Sequence, residues 1–289
     1  MISNKNNPKK VAALKTMVKG KTAAQVGLLK KDGVVLDEEG SLGFLADTHL
    51  PGSRDTPCKD QRTKKSVRVR LDDPRADFIT DTKVKAAVDG FLAHKAPGPD
   101  MLPPCVYHHF GPKAVTRLMN IIKGSYLLHY VPKSWLGAKV IFIPKPDKES
   151  YADPRSFRPI SLMNFVLKIM ERILLWQNEE KILSQKPLHK NQHGFRKARS
   201  CDSALTSFVG RIEHAFLNNE YALAVFLDIQ GAYDNLTTKA ILRALRERGC
   251  DDLFVKWIHD FLKFRMVTID YKGVSVTRYP TRGVPQGGG

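Results

Sequence analysis

The stretch AVFLDIQGAYDN, residues 224–235, joins an apolar run to an acid, Asp228, and to an aromatic residue, Tyr233. The large and β-branched side chains of residues 222–229 predict a strand that is buried in a sheet. A strand that ends on an acid would hold that carboxylate rigidly, partly desolvated, at the edge of the sheet. Such a group suits Mg²⁺, which proteins bind with one or two carboxylates together with substrate phosphates. The alternative left open is that Asp228 begins a turn and that Asp234 caps the following helix.

Charge is the strongest signal in the composition. The chain of 289 residues has a formal net charge of +18 and a calculated pI near 9.8. An excess of Lys and Arg on this scale attracts polyanions, and neutralisation of phosphates drives salt-dependent binding of nucleic acid. The alternative is a basic protein whose charge serves only solubility. We expect a nucleic-acid partner, because the basic residues lie within ordered-looking segments as well as in tails.

The cellular setting is predicted from what the sequence lacks. No apolar stretch approaches the roughly 18 residues of a membrane span, and no apolar run follows the charges of the N-terminal MISNKNNPKK. The cysteines are scattered without metal-ligand spacing, which favours reduced thiols. We therefore expect a soluble intracellular protein, nuclear or cytoplasmic, with no membrane partner; the oligomeric state is left open.

The pattern along the chain predicts an α+β fold. Apolar residues at helical spacing predict a helix that includes Val84 and ends at Pro97–Pro99, and further helices at residues 112–128, 164–183, 200–216, 237–249 and 255–264. Ser200 is a predicted N-cap and Gly249 a predicted C-terminal stop. Strands are predicted at residues 138–144 and 222–229, with a final hairpin at 265–271 and 274–279 around Lys272 and Gly273.

The N-terminal quarter has weaker periodicity. Residues 1–75 are interpreted as a basic linker region, with one amphipathic helix within residues 15–33 and a mobile basic stretch at 51–66. Firmer order is expected from about residue 73. The predicted domain therefore covers residues 76–289.

Several short motifs occur in a fixed order along this domain. They are KAPGPD (95–100), VPKSW (131–135), IPKPDK (143–148), SFRPISLMN (156–164), QHGFRKARS (192–200), FLDIQGAYDN (226–235) and RGVPQG (282–287). Each is weak alone, but the ordered set is highly specific. On these motifs residues 80–289 resemble the reverse transcriptases of non-long-terminal-repeat (LINE-type) retrotransposons, most like the jockey and I type.

The resemblance implies a right-hand polymerase with fingers and part of a palm, and with no thumb in this chain. It implies RNA-directed DNA synthesis by two-metal nucleotidyl transfer, with an RNA template, a DNA primer and deoxynucleoside triphosphates as partners. Asp228 resembles the first catalytic aspartate, which would bind Mg²⁺ with the carbonyl of Ile229. Tyr233 resembles the aromatic residue that excludes a 2′-hydroxyl, although this family more often has Phe there. An ordinary core aromatic is the alternative for Tyr233.

Further roles follow from the same resemblance. Lys145 and Arg158 would clamp the triphosphate, a role that suits an ammonium and a planar guanidinium; a solvated surface charge is the alternative for each. Gln286 and Gly287 would contact the nucleotide and the templating base. Arg196 and Arg199 would track template or primer, or would only lie on the solvent face of the following helix. The pair His108 and His109 is expected to be structural.

The family also carries two further aspartates in a hairpin downstream of its PQG segment. The chain ends at Gly289, before such a hairpin, and its final GGG departs from the usual continuation. We therefore expect a fragment without polymerase activity of its own, because one carboxylate does not assemble a two-metal site. The alternatives are a non-catalytic nucleic-acid-binding remnant and a fragment of a group II intron-type maturase; the match of FRPISLMN and LDIQGAYDN to the retrotransposon form disfavours the maturase.

Overall fold

A four-stranded sheet lies at the centre of the computed structural model, which describes residues 27–59, 68–271 and 273–287. The strands are β1 (Lys30–Lys31), β2 (Val34–Val35), β3 (Gly137–Pro144), β4 (Phe157–Met163), β5 (Met266–Tyr271) and β6 (Val274–Arg278). The order in the large sheet is β4-β3-β5-β6. Strand β3 pairs antiparallel with β4 and parallel with β5, and β5 and β6 form an antiparallel hairpin.

Most of the helices pack on this sheet or on one another. They are α1 (Glu38–His49), α2 (Asp81–Asp89), α3 (Pro104–His108), α4 (Pro112–Leu127), α5 (Lys133–Leu136), α6 (Phe165–Asn178), α7 (Cys201–Leu217), α8 (Ala232–Asn235), α9 (Thr238–Arg248) and α10 (Asp252–Phe264). A π-helical turn at Glu179–Leu183 continues α6, and 3₁₀ turns lie at Pro74–Ala76 and Pro154–Ser156. The expected α+β class is confirmed.

One hydrophobic core joins the sheet to α2, α4, α6 and α10. Helix α6 lies at its centre: Leu167, Ile169 and Met170 are fully buried. Trp257 of α10 is also fully buried, and its indole N–H donates to Ser125 Oγ at 3.0 Å. Apolar stripes at helical spacing therefore face a common interior, as the sequence of these helices predicts.

Local end signals confirm several predicted boundaries. Ser200 caps α7 by accepting from the Ser203 amide, and the Ser203 hydroxyl accepts from the Ser200 amide in return. Gly249 ends α9 in the left-handed conformation at φ 85°. The predicted final hairpin is β5–β6, with Gly273 at φ 85° in its turn, while Lys272 lies outside the described residues. Helix α2 ends at Gly90, earlier than the predicted stop at Pro97–Pro99.

The predicted strand at residues 222–229 is wrong. These residues adopt no regular structure, and their large apolar side chains are exposed: Leu223 by 93%, Phe226 by 81% and Leu227 by 91%. No strand within the described residues pairs with the segment, and a strand is stable only when neighbours bond its amides and cover one face. Helix α7, which precedes it, has no buried residue.

Residues 27–59 are more ordered than the sequence indicates. Leu42, Leu45 and Ala46 of α1 are buried in the main core, and β1 and β2 form a small hairpin before it. The expected onset of order near residue 73 is therefore wrong for this part. The predicted amphipathic helix within residues 15–33 falls mostly outside the described residues, as do residues 60–66 of the predicted linker. The domain division at residue 75 stays a prediction.

No helix within the described residues has the length and apolarity needed to cross a bilayer.

Candidate functional site

The β3–β4 pair brings Lys145 and Arg158 to the same end of the sheet. Arg158 on β4 lies opposite Ile143 on β3, and the Lys145 amide just beyond β3 donates to Ser156 O at 2.8 Å. Lys145 Nζ donates to Arg155 O at 2.7 Å. The exposed Arg158 guanidinium makes no hydrogen bond or ion pair to any residue of the described ranges. The Lys145 ammonium is therefore bonded to a backbone carbonyl, whereas the Arg158 guanidinium has no partner among the described residues.

The RGVPQG motif lies against β4, the strand that carries Arg158. Its residues 282–287 are called the 282–287 loop from here on. The Ser161 amide of β4 donates to Gln286 O at 2.7 Å. Gly287 is at φ 99°, where a Cβ would come within 3.1 Å of Ile160 Cγ2. The loop therefore approaches β4 closely at Ile160 and Ser161, on the strand that also carries Arg158.

The same loop fixes the backbone at Tyr233 in α8. The Val284 amide donates to Tyr233 O at 2.8 Å, and the Gly283 amide donates to Leu236 O at 2.7 Å. Gly283 is at φ 75°, and a Cβ there would lie 2.8 Å from Tyr233 O. Only glycine fits this contact without displacement of the backbone. The Tyr233 side chain is 41% exposed and is not the core aromatic that was the alternative for it.

Asp228 and Ile229 are not held in the same way. Both lie in the exposed irregular segment before α8, and Ile229 is 77% exposed. The expectation of a partly desolvated carboxylate at a sheet edge is therefore wrong, because the strand that would carry it is not formed. Nothing in the described ranges bonds to the Asp228 carboxylate, and within those ranges no three acids, histidines or cysteines group as a metal site.

Arg196 and Arg199 lie in a separate exposed loop that leads into α7. Arg196 Nη1 donates to His189 O at 3.1 Å, while Arg199 is exposed. Phe195 and Ala198 in this loop have positive φ angles of 55° and 58°, and the Phe195 side chain is 90% exposed. No hydrogen bond or ion pair within the described residues joins this loop to Lys145, Arg158 or Gln286.

Three residues to which the motifs assign no role in the site connect its parts: Asp234, His49 and Arg265. Asp234 accepts from Gln286 Nε2 at 3.1 Å and lies 3.8 Å from His49 of α1. It does not cap the next helix, because Thr237 does so. Arg265, at the end of α10, is only 5% exposed and donates to the 282–287 loop. The sequence signal for Arg265 was a single arginine between the apolar residues of α10 and those of β5. For His49 and Asp234, no neighbouring residue in the sequence predicts the partner.

The interior of this region is too small for a nucleotide. A cavity of about 30 Å³ lies among β4, α10, Asp234 and the 282–287 loop, which is room for little more than a water molecule. A nucleotide would therefore bind outside this cavity. The two histidines expected to be structural bond to the backbone: His108 to Val88 O and His109 to Cys105 O.

The family model described as reverse transcriptase (RNA-dependent DNA polymerase) matches residues 143–289, about half of the chain. The chain belongs to the reverse transcriptase family. The matched range contains Lys145, Arg158, Asp228, Tyr233 and Gln286, whereas His49 lies outside it.

The relatives come from mobile elements of insects. The chain is 31% identical over 214 residues to the RNA-directed DNA polymerase from mobile element jockey of Drosophila melanogaster, over 72% of this chain and 23% of the relative. It is 26% identical over 260 residues to the retrovirus-related Pol polyprotein from type-1 retrotransposable element R1 of Bradysia coprophila, over 90% of this chain and 25% of the relative. The chain thus spans about a quarter of these curated relatives, and the predicted resemblance to LINE-type reverse transcriptases is confirmed.

Proposed function

We propose that this chain supplies the nucleotide-binding surface of an RNA-directed DNA polymerase. One observation carries the proposal: the 282–287 loop is hydrogen-bonded to the strand that presents Arg158. Candidate contacts for the phosphates and for the base are therefore carried by β4 and by the loop bonded to it, and Lys145 lies at the same end of the sheet as Arg158. The partners in this proposal are a deoxynucleoside triphosphate, an RNA template and a DNA primer.

Arg158 and Lys145 would bind the triphosphate. A guanidinium offers a planar fork of donors to phosphate oxygens, and Arg158 has no partner within the described chain that would compete for it. Lys145 would exchange its bond to Arg155 O for a phosphate oxygen. Fixed cations at this point would stabilise the charge that develops on the transferred phosphoryl group.

Tyr233 and the 282–287 loop would select and align the nucleotide. The loop holds the Tyr233 backbone in place by a hydrogen bond. The exposed ring that projects from it would then exclude a 2′-hydroxyl by steric clash. The Gln286 side chain is held by Asp234, which leaves the Gly287 backbone open to approach by a base. We assign β3, β4 and their helices to the fingers of a right-hand polymerase, and α8 with the 282–287 loop to its palm.

Magnesium fits the donors at Asp228 and Ile229. A carboxylate and a main-chain carbonyl are hard oxygen ligands, and Mg²⁺ completes its shell with substrate phosphates and water. When bound, the ion would neutralise charge on the phosphates that Lys145 and Arg158 also contact. Asp228 is the one carboxylate of the described chain that we propose as a ligand of Mg²⁺. We therefore expect its contribution to be measurable as metal-dependent nucleotide binding.

Photo-crosslinking of a deoxynucleoside triphosphate analogue to the purified chain tests the proposal. Arg158→Ala should raise the nucleotide concentration that gives half-maximal labelling about 10- to 100-fold, because charge-assisted bonds to phosphate contribute on the order of 1.5–3 kcal/mol. Arg243→Ala is the matched control, since Arg243 is exposed on α9 and its only ion-pair partner among the described residues is Glu247. Equal labelling of the two variants, or labelling unaffected by competing triphosphate, would reject the proposal.

The metal and the tyrosine have their own readouts in the same assay. Mg²⁺ should enhance labelling of the wild-type chain and should do so much less in Asp228→Asn. Tyr233→Ala should narrow the preference for deoxy- over ribonucleotide competitors. An unchanged preference would show that the ring faces elsewhere.

A second function, nucleic-acid binding without nucleotide selection, is favoured by the net charge of +18 and by the exposed Arg199. It predicts salt-sensitive binding of RNA with no discrimination among nucleotides. Binding of a labelled RNA over a salt series measures the number of phosphate contacts from its slope. Arg199→Gln should reduce that slope by about one contact, and RNA binding without nucleotide labelling would favour this second function.

A further inference from the structure

Arg265 is a buried cation whose donors face a single segment. It lies at the C-terminal end of α10, is 5% exposed, and its Nη2 donates to Arg282 O and Gly283 O at 2.5 and 2.7 Å. Its Nε has no hydrogen-bond partner, and no carboxylate of the described chain pairs with it. Burial lowers the pKa of this guanidinium to about 10, so it stays charged at neutral pH.

A charge in this position costs free energy that packing alone does not explain. Burial of an unpaired cation is unfavourable, and an apolar side chain of similar volume would commonly fill such a position at lower cost. The compensation visible here is the pair of carbonyl bonds. Both carbonyls belong to the 282–287 loop, next to the left-handed Gly283. The guanidinium therefore acts on the conformation of that loop.

The opposite side of the loop is held by the N-terminal part of the chain. Arg282 Nε donates to Pro51 O at 2.9 Å, and the Thr281 hydroxyl donates to Gly52 O at 2.8 Å. The Arg54 amide donates to Tyr279 O at 3.0 Å. These contacts place residues 51–54 along the outer edge of the segment, while Arg265 supports it from the core. The loop is thus fixed between two elements far apart in sequence.

We infer that Arg265 is a positioning residue for nucleotide binding: by bonding the carbonyls at 282 and 283 it sets the loop that places Gln286 on β4. This inference rests on the function proposed above for that surface. Arg265 itself does not touch the nucleotide. Its loss is expected to release the Gly283 and Val284 amides from Leu236 O and Tyr233 O, and the Ser161 amide from Gln286 O.

The experiment has two arms on the full chain, with Arg265→Met, Arg265→Lys and the matched control Arg243→Met. The first arm measures amide hydrogen exchange without nucleotide. Exchange at Gly283, Val284 and Ser161 should rise about tenfold or more in Arg265→Met, while the β5–β6 amides stay protected. Arg265→Lys keeps the charge and should give an intermediate rise. Arg243→Met should change none of these rates.

The second arm measures nucleotide crosslinking well below the unfolding temperature. The nucleotide concentration that gives half-maximal crosslinking should rise about tenfold in Arg265→Met. The rise should be smaller in Arg265→Lys, because one ammonium can still donate to a carbonyl. Unchanged exchange in the folded variants would overturn the inference, and so would raised exchange with unchanged crosslinking. If the wild-type chain takes no nucleotide, the function proposed above fails, and the exchange arm still decides whether Arg265 holds the loop. Should Arg265→Met fail to fold, Arg265→Lys decides both arms.

Discussion

The helices α6 and α7 have similar apolar patterns, but α6 is buried and α7 is exposed. Leu167, Ile169 and Met170 of α6 are fully buried in the core, whereas Leu205, Phe216 and Leu217 of α7 are more than 60% exposed. Helix α7 continues into residues 220–229, and Phe208 contacts Phe226 with ring centroids 5.5 Å apart. An apolar stripe therefore shows that a surface can be buried, but a packing partner decides whether it is.

The largest expected contrast is between Trp257 and Phe216. Trp257→Ala removes a fully buried ring that stacks on Phe261 and bonds to Ser125, so we expect a loss of about 3–5 kcal/mol in unfolding free energy. Phe216→Ala, on exposed α7, should change it by less than about 0.5 kcal/mol. Urea denaturation measures both. A large loss for Phe216→Ala would show that α7 packs in solution.

The contact between the 282–287 loop and α8 depends on Gly283. Gly283→Ala places a Cβ 2.8 Å from Tyr233 O in a left-handed backbone, so we expect a loss of about 2–3 kcal/mol. Gly273→Ala has a similar φ and open space around it, so only the conformational cost of about 1 kcal/mol should remain. Thermal unfolding compares the two. Equal losses would mean that the loop moves freely away from α8.

Burial should also make the stability of the chain depend on pH through Glu171 of α6, but not through the exposed helix α7. Burial raises the pKa of Glu171 in α6 from 4.5 to about 7, and the nearby Lys168 ammonium opposes this shift. Because the folded state prefers the protonated acid, its stability should fall as pH rises from about 4.5 to 7 and then stay constant. Glu171→Gln should therefore stabilise the chain by up to about 3 kcal/mol at pH 8 and by almost nothing at pH 4.

Glu213→Gln on exposed α7 is the control for this measurement, made by denaturant unfolding at both pH values. It should leave the difference between pH 4 and pH 8 as it is in the wild-type chain. A wild-type difference that survives in Glu171→Gln would assign the pH dependence to other groups.

The smallest effect is expected at Val225. This residue is 73% exposed, and its amide has no partner within the described chain. Val225→Pro should thus cost less than about 0.5 kcal/mol, and Val225→Ala separates loss of the side chain from loss of the amide. Circular dichroism with denaturant gives the values. A loss above roughly 1.5 kcal/mol for the proline alone would show that residues 222–229 pair as a strand.

The sequence predicted most of the helices because their signals are local. Ser200 caps α7 and Gly249 stops α9 through bonds within a few residues, so the pattern and the structure agree. Strands were harder. The segment SFRPISLMN forms β4 and was recognised only as a motif, while the more apolar residues 222–229 form no strand. Pairing partners distant in sequence decide such cases, and period and propensity do not report them.

The candidate site divides in the same way. The motifs gave Lys145, Arg158, Tyr233, Gln286 and Gly287, which the structure connects through β4 and the 282–287 loop. They gave Asp228 as well, but not its exposed setting. Arg265, Asp234 and His49 could not be found from spacing, because each acts through a partner at least 17 residues away.

The amino-acid order by itself determined the family, the basic character and the ends of the helices, since these depend on residue identity and on bonds within one turn. Only the tertiary structure decided which apolar faces are covered, which strands pair and which cation supports the 282–287 loop. The physical reason is that burial and sheet hydrogen bonds need two surfaces, and a linear pattern describes one surface at a time.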